Sequence, residues 1–402
     1  MNLFISGRKT LGPAPDMSIK VEVFVPNIIK IRESGMRMRP EFYAKHRGSR
    51  DTVLFVLVCI LTAFGLVMLA STSAWNGYVK FRDAGYYVKK QLFATSLGLA
   101  AMVAVSRLDY RLLRFLAVPA YGLSLVLSSL VLVVGREYNG SKRWLALGPL
   151  SFQPAEFAKV AVILLLAWAV DRKKGRMEKL HSLVGVLFLL LPIVALVGTN
   201  NLSTAVIILG IGFLLIFLST PRYVPFVFMG AAGAGLVAVF LGMESYRLER
   251  LMIWRHPENY EKGYQTIQGL YAIGSGGVFG QGLGSSMQKL GFVPEAQNDM
   301  IFSIICEELG LVGALALILL FSLMIWRFMV IAMHAEDLFG ALLAAGIMGH
   351  IAIQVILNIA VVTNSIPNTG ITLPFVSYGG TSVCFLLAEM GIALSVSART
   401  KL

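Results

Sequence analysis

The sequence predicts an all-α membrane protein with about ten transmembrane helices, and two observations carry this prediction. Of its 402 residues, 56% are hydrophobic and only 14% are charged, against roughly 25% charged residues in an ordinary soluble domain. Apolar runs of about 20 residues, the length that crosses a bilayer, recur along nearly the whole chain. Unpaired backbone groups are costly in lipid, so such runs indicate helices rather than a β-barrel. A soluble enzyme, a nucleic-acid-binding protein and a disulfide-stabilised secreted domain are excluded.

The expected spans are separated by short polar segments, with one long exception. They are placed at Thr52–Ser71, Gln91–Ser106, Leu112–Gly135, Ala155–Val170, Leu183–Gly198, Thr204–Ser219, Val224–Met243, Ile301–Trp326, Leu338–Val362 and Phe375–Val396. Residues 244–299 form a large loop between the seventh and eighth spans. Residues 52–397 therefore make one membrane domain, preceded by a basic tail at 1–51 that we expect to be disordered and followed by a short terminus at 398–402.

The distribution of basic residues predicts the orientation. With both termini on one side, 22 of the 35 Lys and Arg residues lie in the tails and loops of that side, and 13 lie on the other. Cytoplasmic loops carry the excess of positive charge in membrane proteins. We therefore expect both termini in the cytoplasm and the 244–299 loop outside, and the net charge of +13 reflects topology rather than nucleic-acid binding.

The first informative polar segment is Asn139–Lys159, which joins the third and fourth spans. Arg143 and Trp144 are expected at the outer interface, where aromatic side chains and basic side chains that reach towards water are common, and Lys142 directly precedes them. Glu156 and Lys159 follow at positions i and i+3 of the next helix, a spacing at which they would pair with each other. Together these groups could instead line a cationic pocket for a phosphorylated ligand. The sequence leaves both interpretations open.

The second segment is the 244–299 loop, which is rich in glycine and aromatic residues. Its run AIGSGGVFGQGLGSS formally resembles a phosphate-binding loop. However, no strand precedes the run and no GKS or GKT follows it, so a nucleotide-binding function is weakly supported. Backbone that lies close to a lipid surface or folds back into the site is the simpler interpretation.

The third segment surrounds Asp299, at the start of the eighth span. Asp299 could merely cap that helix. On a continuous helix, however, Glu307 at i+8 would lie on the same face about 12 Å deeper. Acidic residues inside an apolar span usually face the bundle interior and find partners there. Lys159 and Arg143 are two candidate partners for Glu307 and its neighbour Glu308.

The fourth segment, Asn364–Gly380, is a chargeless outer loop that leads into the last span. Its hydroxyl groups, including that of Ser377, and its backbone could line a polar cavity, or the loop could serve only for packing. Glu389, inside the last span, is expected to be a hydrogen-bonded group of the bundle.

Three of these motifs together resemble the SEDS family. They are FVPEAQNDMIFSIICEELG at Phe292–Gly310, KRW with FQPAEFAK, and IPNTGITLPFVSYGG, and the likeness extends from about Thr52 to Ser397. The residues of the last motif resemble those of the FtsW/SpoVE branch more than those of RodA. The resemblance implies a ten-helix peptidoglycan glycosyltransferase that polymerises lipid II at the outer face of the cytoplasmic membrane during division or sporulation.

The family's functional residues fall on positions identified above. Its catalytic Asp corresponds to Asp299, and the Arg, Glu and Lys of its outer cavity correspond to Arg143, Glu156 and Lys159. A carboxylate there can serve as the general base or hold a metal. The resemblance also implies a divalent cation, Mg²⁺ or Mn²⁺, and a class B penicillin-binding protein as partner. One departure is Asn201, which stands where many relatives have Asp.

Two other functions remain open at this level. A lipid II flippase could use the buried polar residues Lys159, Glu307, Asn358 and Glu389 for proton-coupled transport. Against it, the polar groups cluster towards one face of the membrane, whereas carriers place them near the midplane between inverted repeats. A non-catalytic scaffold of the division machinery would leave Asp299 dispensable.

Overall fold

The computed structural model describes residues 50–400, apart from 139–140, 148–149, 175, 178, 221–223 and 243–244. In this part of the chain, eight helices are long and apolar enough to cross a membrane, which identifies an integral membrane protein. Most of the basic tail expected at 1–51 and the last two residues of the 398–402 terminus lie outside the described residues.

Long helices occupy every position at which a span is expected. The α-helices of the described residues are α1 (Thr52–Phe81), α2 (Tyr86–Arg107), α3 (Leu113–Val134), α4 (Pro154–Arg172), α5 (Leu180–Asn200), α6 (Leu202–Ser219), α7 (Val224–Gly242), α8 (Ser245–Arg255), α9 (Tyr264–Ser275), α10 (Ile301–His334), α11 (Leu338–Val362) and α12 (Gly380–Ser397). All except α8 and α9 have 18 or more residues. The eight apolar helices are these long ones without α4 and α7, so a count of ten spans stays a prediction.

The all-α expectation is wrong between α3 and α4. There β1 (Arg136–Tyr138), β2 (Ser141–Leu147) and β3 (Leu150–Phe152) form an antiparallel sheet in the order β1-β2-β3. The sequence contains Asn-Gly at 139–140, a dipeptide that favours two-residue hairpins, and the helix-based prediction did not use it. Strand β2 packs against α3, α4 and α5.

Helix α11 lies inside the bundle, in contact with α4, α6, α10 and α12. Its first ten residues, 338–347, are all buried. Small residues permit this close packing, because helices in membranes approach most closely where side chains are small. At Gly346, for example, an added Cβ would lie 2.7 Å from the side chain of Ile163 on α4.

The two ends of the described chain meet at one end of the bundle. The Asp51 N–H donates to Ser397 Oγ at 3.1 Å, and the Asp51 carboxylate lies 2.6 Å from Arg327 Nε near the end of α10. Asp299 precedes the beginning of α10 and therefore lies at the opposite end. The side of the membrane on which each end of the bundle lies stays a prediction.

Helix α10 is interrupted at Gly310, where φ is 65° and ψ is −166°. A break in a helix leaves the preceding carbonyls without intrahelical donors. The glycine-rich segment 276–284 supplies them: the Gln281 N–H donates to the Glu307 carbonyl at 2.9 Å, and the Gly282 N–H donates to the Glu308 carbonyl at 3.0 Å. The glycine-rich run is therefore a backbone partner of the broken helix.

This contact requires glycine because two main chains lie against each other. A Cβ added at Gly276 would lie 1.9 Å from the Cys306 carbonyl oxygen, and one at Gly280 would lie 2.2 Å from the Glu308 carbonyl oxygen. The interpretation of the run as backbone that folds back onto the protein accounts for these glycines, and no phosphate is needed to explain them.

Candidate functional site

Asp299 lies between the 244–299 connection and α10. Helix α10 has Met300 in the N-cap position and no side-chain cap, so the interpretation of Asp299 as a helix cap is wrong. From α11, Asn358 Nδ2 donates to the main-chain oxygen of Asp299 at 2.8 Å. A Cβ added at Gly370 would lie 3.9 Å from Asp299 Oδ2. The carboxylate therefore faces the chargeless loop that precedes α12.

The surroundings of Asp299 make it a stronger base than an ordinary aspartate. Burial raises the pKa of the Asp299 carboxyl to about 6. The negative charge of Glu295 contributes to the rise of this pKa, and the positive charge of Arg250 on α8 opposes it. Neither residue belongs to the predicted site. A carboxyl with a pKa near 6 is still ionised at neutral pH and accepts a proton more readily than an exposed one.

The chargeless loop Asn364–Gly380 is hydrogen-bonded to the chain around Asp299. The Tyr378 N–H donates to the carbonyl of Gln297, two residues before Asp299, at 2.9 Å. Ser377, a predicted substrate-binding residue, is 4% exposed and its hydroxyl accepts the Leu373 N–H at 2.8 Å. The structure therefore places Ser377 in a turn of its own loop.

Lys159 on α4 belongs to a buried polar chain of five side chains and is itself only 1% exposed. Its Nζ lies 3.1 Å from Glu156 Oε1 and donates to Gln354 Oε1 at 3.1 Å. His350 Nε2 lies 2.9 Å from the same Gln354 oxygen, and His350 Nδ1 lies 2.8 Å from Glu389 Oε2. The pairing of Glu156 with Lys159, one of the two interpretations that the sequence left open, is present, and Glu389 is hydrogen-bonded as expected.

The residues that connect these groups were missed by the sequence-based prediction of the site. His350, Gln354 and Asn358 follow one another at i, i+4 and i+8 on α11, a spacing that places them on one face. Polar residues with this spacing in an otherwise apolar helix are a usable signal. Only Asn358 was considered, and only as a residue of a carrier.

Lys142 and Arg143 lie on β2, against the end of α5. Arg143 Nε donates to the Asn200 carbonyl at 3.0 Å, and Asn200 Nδ2 donates to the Lys142 carbonyl at 2.9 Å. The next residue, Asn201, accepts the Thr204 N–H at 3.2 Å and so caps α6. The structure thus holds both basic residues beside α5 and α6, and gives Asn201 a structural role.

The expected pairing of Glu307 with Lys159 or Arg143 is wrong. Glu307 Oε2 accepts a hydrogen bond from the Ser286 hydroxyl, and Glu307 Oε1 accepts the Met287 N–H at 3.0 Å. Because α10 begins after Asp299, the helical spacing that placed Glu307 below Asp299 does not apply. Glu307 instead fixes the segment that follows the glycine-rich run.

Glu308 has a similar role next to Glu307. It is fully buried, and its Oε1 lies 2.6 Å from Lys289 Nζ and 2.7 Å from Ser71 Oγ on α1. A buried carboxylate requires such compensation by charge and hydrogen bonds. The two acids of α10 together hold residues 286–289 against the bundle.

Sequence comparison places these residues in a known family. A family model described as FTSW_RODA_SPOVE, cell cycle protein, matches residues 51–402. Stage V sporulation protein E of Bacillus subtilis (strain 168) is 39% identical over 361 residues, covering 87% of this chain and 98% of that protein. A probable peptidoglycan glycosyltransferase FtsW of Trichlorobacter lovleyi is 37% identical over 358 residues, covering 88% and 94% of the two chains.

Solved structures of the same fold are also similar. A chain in a peptidoglycan synthase complex that coordinates polymerization and crosslinking matches with a TM-score of 0.74 and 33% identity, covering 87% of this chain and 97% of its own. The rod shape determining protein RodA of Thermus thermophilus matches with a TM-score of 0.67 and 30% identity, covering 88% and 98%. With the family match over residues 51–402, these similarities establish that the chain belongs to the FtsW/RodA/SpoVE family.

Proposed function

We propose that this chain is a peptidoglycan glycosyltransferase that polymerises lipid II into β-1,4 glycan strands in division or sporulation. Its similarity to proteins named as peptidoglycan glycosyltransferase FtsW and stage V sporulation protein E supports the reaction class. The observation that carries the mechanism is Asp299, a partly buried carboxyl with a pKa of about 6 at the end of the bundle opposite the chain ends.

Asp299 acts as the general base in this proposal. It takes the proton from the acceptor sugar hydroxyl while that oxygen attacks the anomeric carbon of the donor. The bond from this carbon to the diphosphate oxygen breaks, and undecaprenyl diphosphate leaves with the bonding electron pair. Because the donor linkage is α and the product linkage is β, one displacement with inversion is sufficient and no sugar becomes attached to the enzyme.

Basic side chains stabilise the leaving diphosphate, where negative charge develops. We assign this role to Lys159, held by Glu156, and to Lys142 and Arg143 on β2. Glu307 contributes indirectly, because its oxygens hold residues 286 and 287. The same applies to Ser377, whose hydroxyl holds its own loop.

A divalent cation, Mg²⁺ or Mn²⁺, is part of the proposal. No group of three or more His, Cys, Asp or Glu that could hold a metal occurs among the described residues. Mg²⁺ is commonly bound by one or two carboxylates together with substrate phosphates, so Asp299 with the lipid diphosphate fits such a site. When bound, the cation would neutralise charge on the diphosphate.

The ten long helices of the described residues support a proposed placement in the membrane. We propose that all ten cross the bilayer, with both termini in the cytoplasm and residues 244–299 outside. The chain ends then lie inside, and Asp299 lies where the sugar portion of lipid II is exposed. The relative in the peptidoglycan synthase complex supports a class B penicillin-binding protein as partner.

The pKa of Asp299 predicts how the reaction depends on pH. A base must be deprotonated, so kcat/KM should fall as the pH drops through about 6. Glu295→Gln removes a negative charge that raises this pKa, and should move the fall to lower pH. Arg250→Gln removes an opposing positive charge, and should move it to higher pH. Rates measured between pH 5 and 8 check both shifts; shifts in the same direction would contradict the assignment.

The flippase remains the second candidate because of one specific observation. The buried chain from Glu156 through Lys159, Gln354 and His350 to Glu389 extends along the bundle interior, where carriers place their proton-transfer groups. Purified protein incubated with labelled lipid II, with and without the transpeptidase, separates the two functions. A polymerase produces glycan strands, whereas a flippase moves lipid II across liposomes and produces none.

A further inference from the structure

Two amide side chains on α11 connect the segment of Asp299 with Lys159. Gln354 and Asn358 are 2% and 0% exposed, and they lie one helical turn apart, about 6 Å along the axis. Gln354 Oε1 accepts from Lys159 Nζ at 3.1 Å. Asn358 Nδ2 donates to the main-chain oxygen of Asp299 at 2.8 Å.

The same two amides also bind consecutive carbonyls of the chargeless loop. Asn358 Nδ2 donates to the Ile371 oxygen at 2.7 Å, and Gln354 Nε2 donates to the Thr372 oxygen at 3.0 Å. A shift of the loop by one residue would break both bonds and leave buried amide groups unpaired, which is costly. Residues on a single face of α11 therefore fix the loop, the Asp299 segment and Lys159 in position relative to one another.

We propose that Gln354 and Asn358 are positioning residues that set the placement of Asp299 relative to Lys159. The inference rests on the proposed function, in which Asp299 is the base and Lys159 stabilises the diphosphate. Neither amide is a catalytic residue, because each acts through the groups that it holds. Their effect is large because a displacement of about 1 Å in a reacting group lowers the rate by about 100-fold.

The test compares leucine variants of the two amides in polymerisation of labelled lipid II. Asn358→Leu and Gln354→Leu replace each amide with an apolar branched side chain and remove every hydrogen bond of that side chain. We expect kcat to fall by about 100-fold, while KM for lipid II changes by less than about threefold, because misplacement affects the transition state more than substrate binding. Asn358→Gln keeps an N–H donor and should recover at least about a tenth of native kcat.

A buried hydroxyl at the opposite end of the bundle provides the matched control. Ser395 Oγ donates to the Leu108 oxygen at 2.6 Å and accepts the Tyr110 N–H at 3.1 Å. Ser395→Ala also removes buried hydrogen bonds, but should retain native kcat. If the leucine variants do not fold, Asn358→Ala removes the same N–H donors without adding volume or charge and should show the same fall in kcat.

Three results would overturn the inference. They are native kcat in the Asn358 and Gln354 variants, an effect on KM alone, and an equal fall of kcat in Ser395→Ala. Failure of the proposed function has a different signature, because the unmodified protein would then produce no glycan strands. If the unmodified protein polymerises lipid II and Asn358→Leu does so equally well, only the positioning role is contradicted.

Discussion

Replacing Asp299 with asparagine is expected to lower kcat for glycan polymerisation by about 100- to 10,000-fold, the range associated with loss of a general base. Asparagine has the same shape but does not accept a proton at neutral pH. The hydrogen bond from Asn358 goes to the main-chain oxygen of residue 299, so the variant should fold and melt like the native protein. Initial rates with labelled lipid II and a thermal melt of the same preparation check both expectations.

Asp83→Asn is the matched control for this substitution. Asp83 lies in the turn after α1. This turn is at the end of the bundle that carries Asp299, since Lys80 Nζ at the end of α1 lies 3.2 Å from Glu295 Oε1. The Asp83 carboxylate is bound by Lys89 Nζ at 2.8 Å. Asp83→Asn should therefore retain the native rate. Equal losses in the two variants, or a native rate in Asp299→Asn, would contradict the assignment of the base.

Gly310→Ala is expected to have the largest effect on folding. The φ of 65° and ψ of −166° at Gly310 lie in a region that only glycine occupies readily, at a cost of about 1–3 kcal/mol for other residues. The new Cβ would also lie 2.3 Å from the Gly280 nitrogen. The break in α10 and its contact with the glycine-rich run should therefore be disrupted. Purified yield and melting temperature should both fall sharply.

Gly274→Ala is the control for this substitution. Gly274 lies in α9, and an added Cβ would meet no atom within 4 Å. Alanine favours a helix over glycine by about 0.8–1 kcal/mol. The melting temperature of Gly274→Ala should thus equal or exceed that of the native protein. A Gly310→Ala protein with the same melting temperature as Gly274→Ala would contradict the close contact between the glycine-rich run and α10.

The helices could be predicted because apolar runs of membrane-spanning length have no common alternative structure in lipid. Every long helix lies where an apolar run is found. The boundaries were harder to predict, because polar residues can extend a helix beyond the lipid. Helix α1 continues ten residues past Ser71 to Phe81, through a polar segment that hydropathy assigns to a loop.

The charged residues of the candidate site stand out in the sequence, since ionised residues in or beside apolar spans need a reason to be there. The roles assigned to Asp299, Glu156 and Lys159 came from the resemblance to the SEDS family and stay predictions. The partner of Glu307 could not be predicted, because the prediction assumed a helix that continues through residue 299. The actual helix begins at Ile301 and is broken at Gly310, and no periodicity argument anticipates the loop that fills the break.

The amides of α11 show a different limit. An uncharged polar residue in a membrane helix costs less free energy than an ion does, so Gln354 and His350 are a weaker signal in the sequence than Lys159. The importance of Gln354 and Asn358 depends on which carbonyls lie opposite them, and those carbonyls belong to residues 299, 371 and 372. Only the three-dimensional arrangement brings these distant parts of the sequence together.

The most direct test of the central claim is glycan synthesis from labelled lipid II in detergent, with the purified chain and its class B penicillin-binding protein. Detergent micelles have no second compartment, so transport alone produces no signal. The proposed function predicts long glycan strands from the native chain and an initial rate at least about 100-fold lower from Asp299→Asn. The absence of strands from the native complex, together with movement of lipid II across sealed liposomes by the same preparation, would contradict the polymerase and support the flippase.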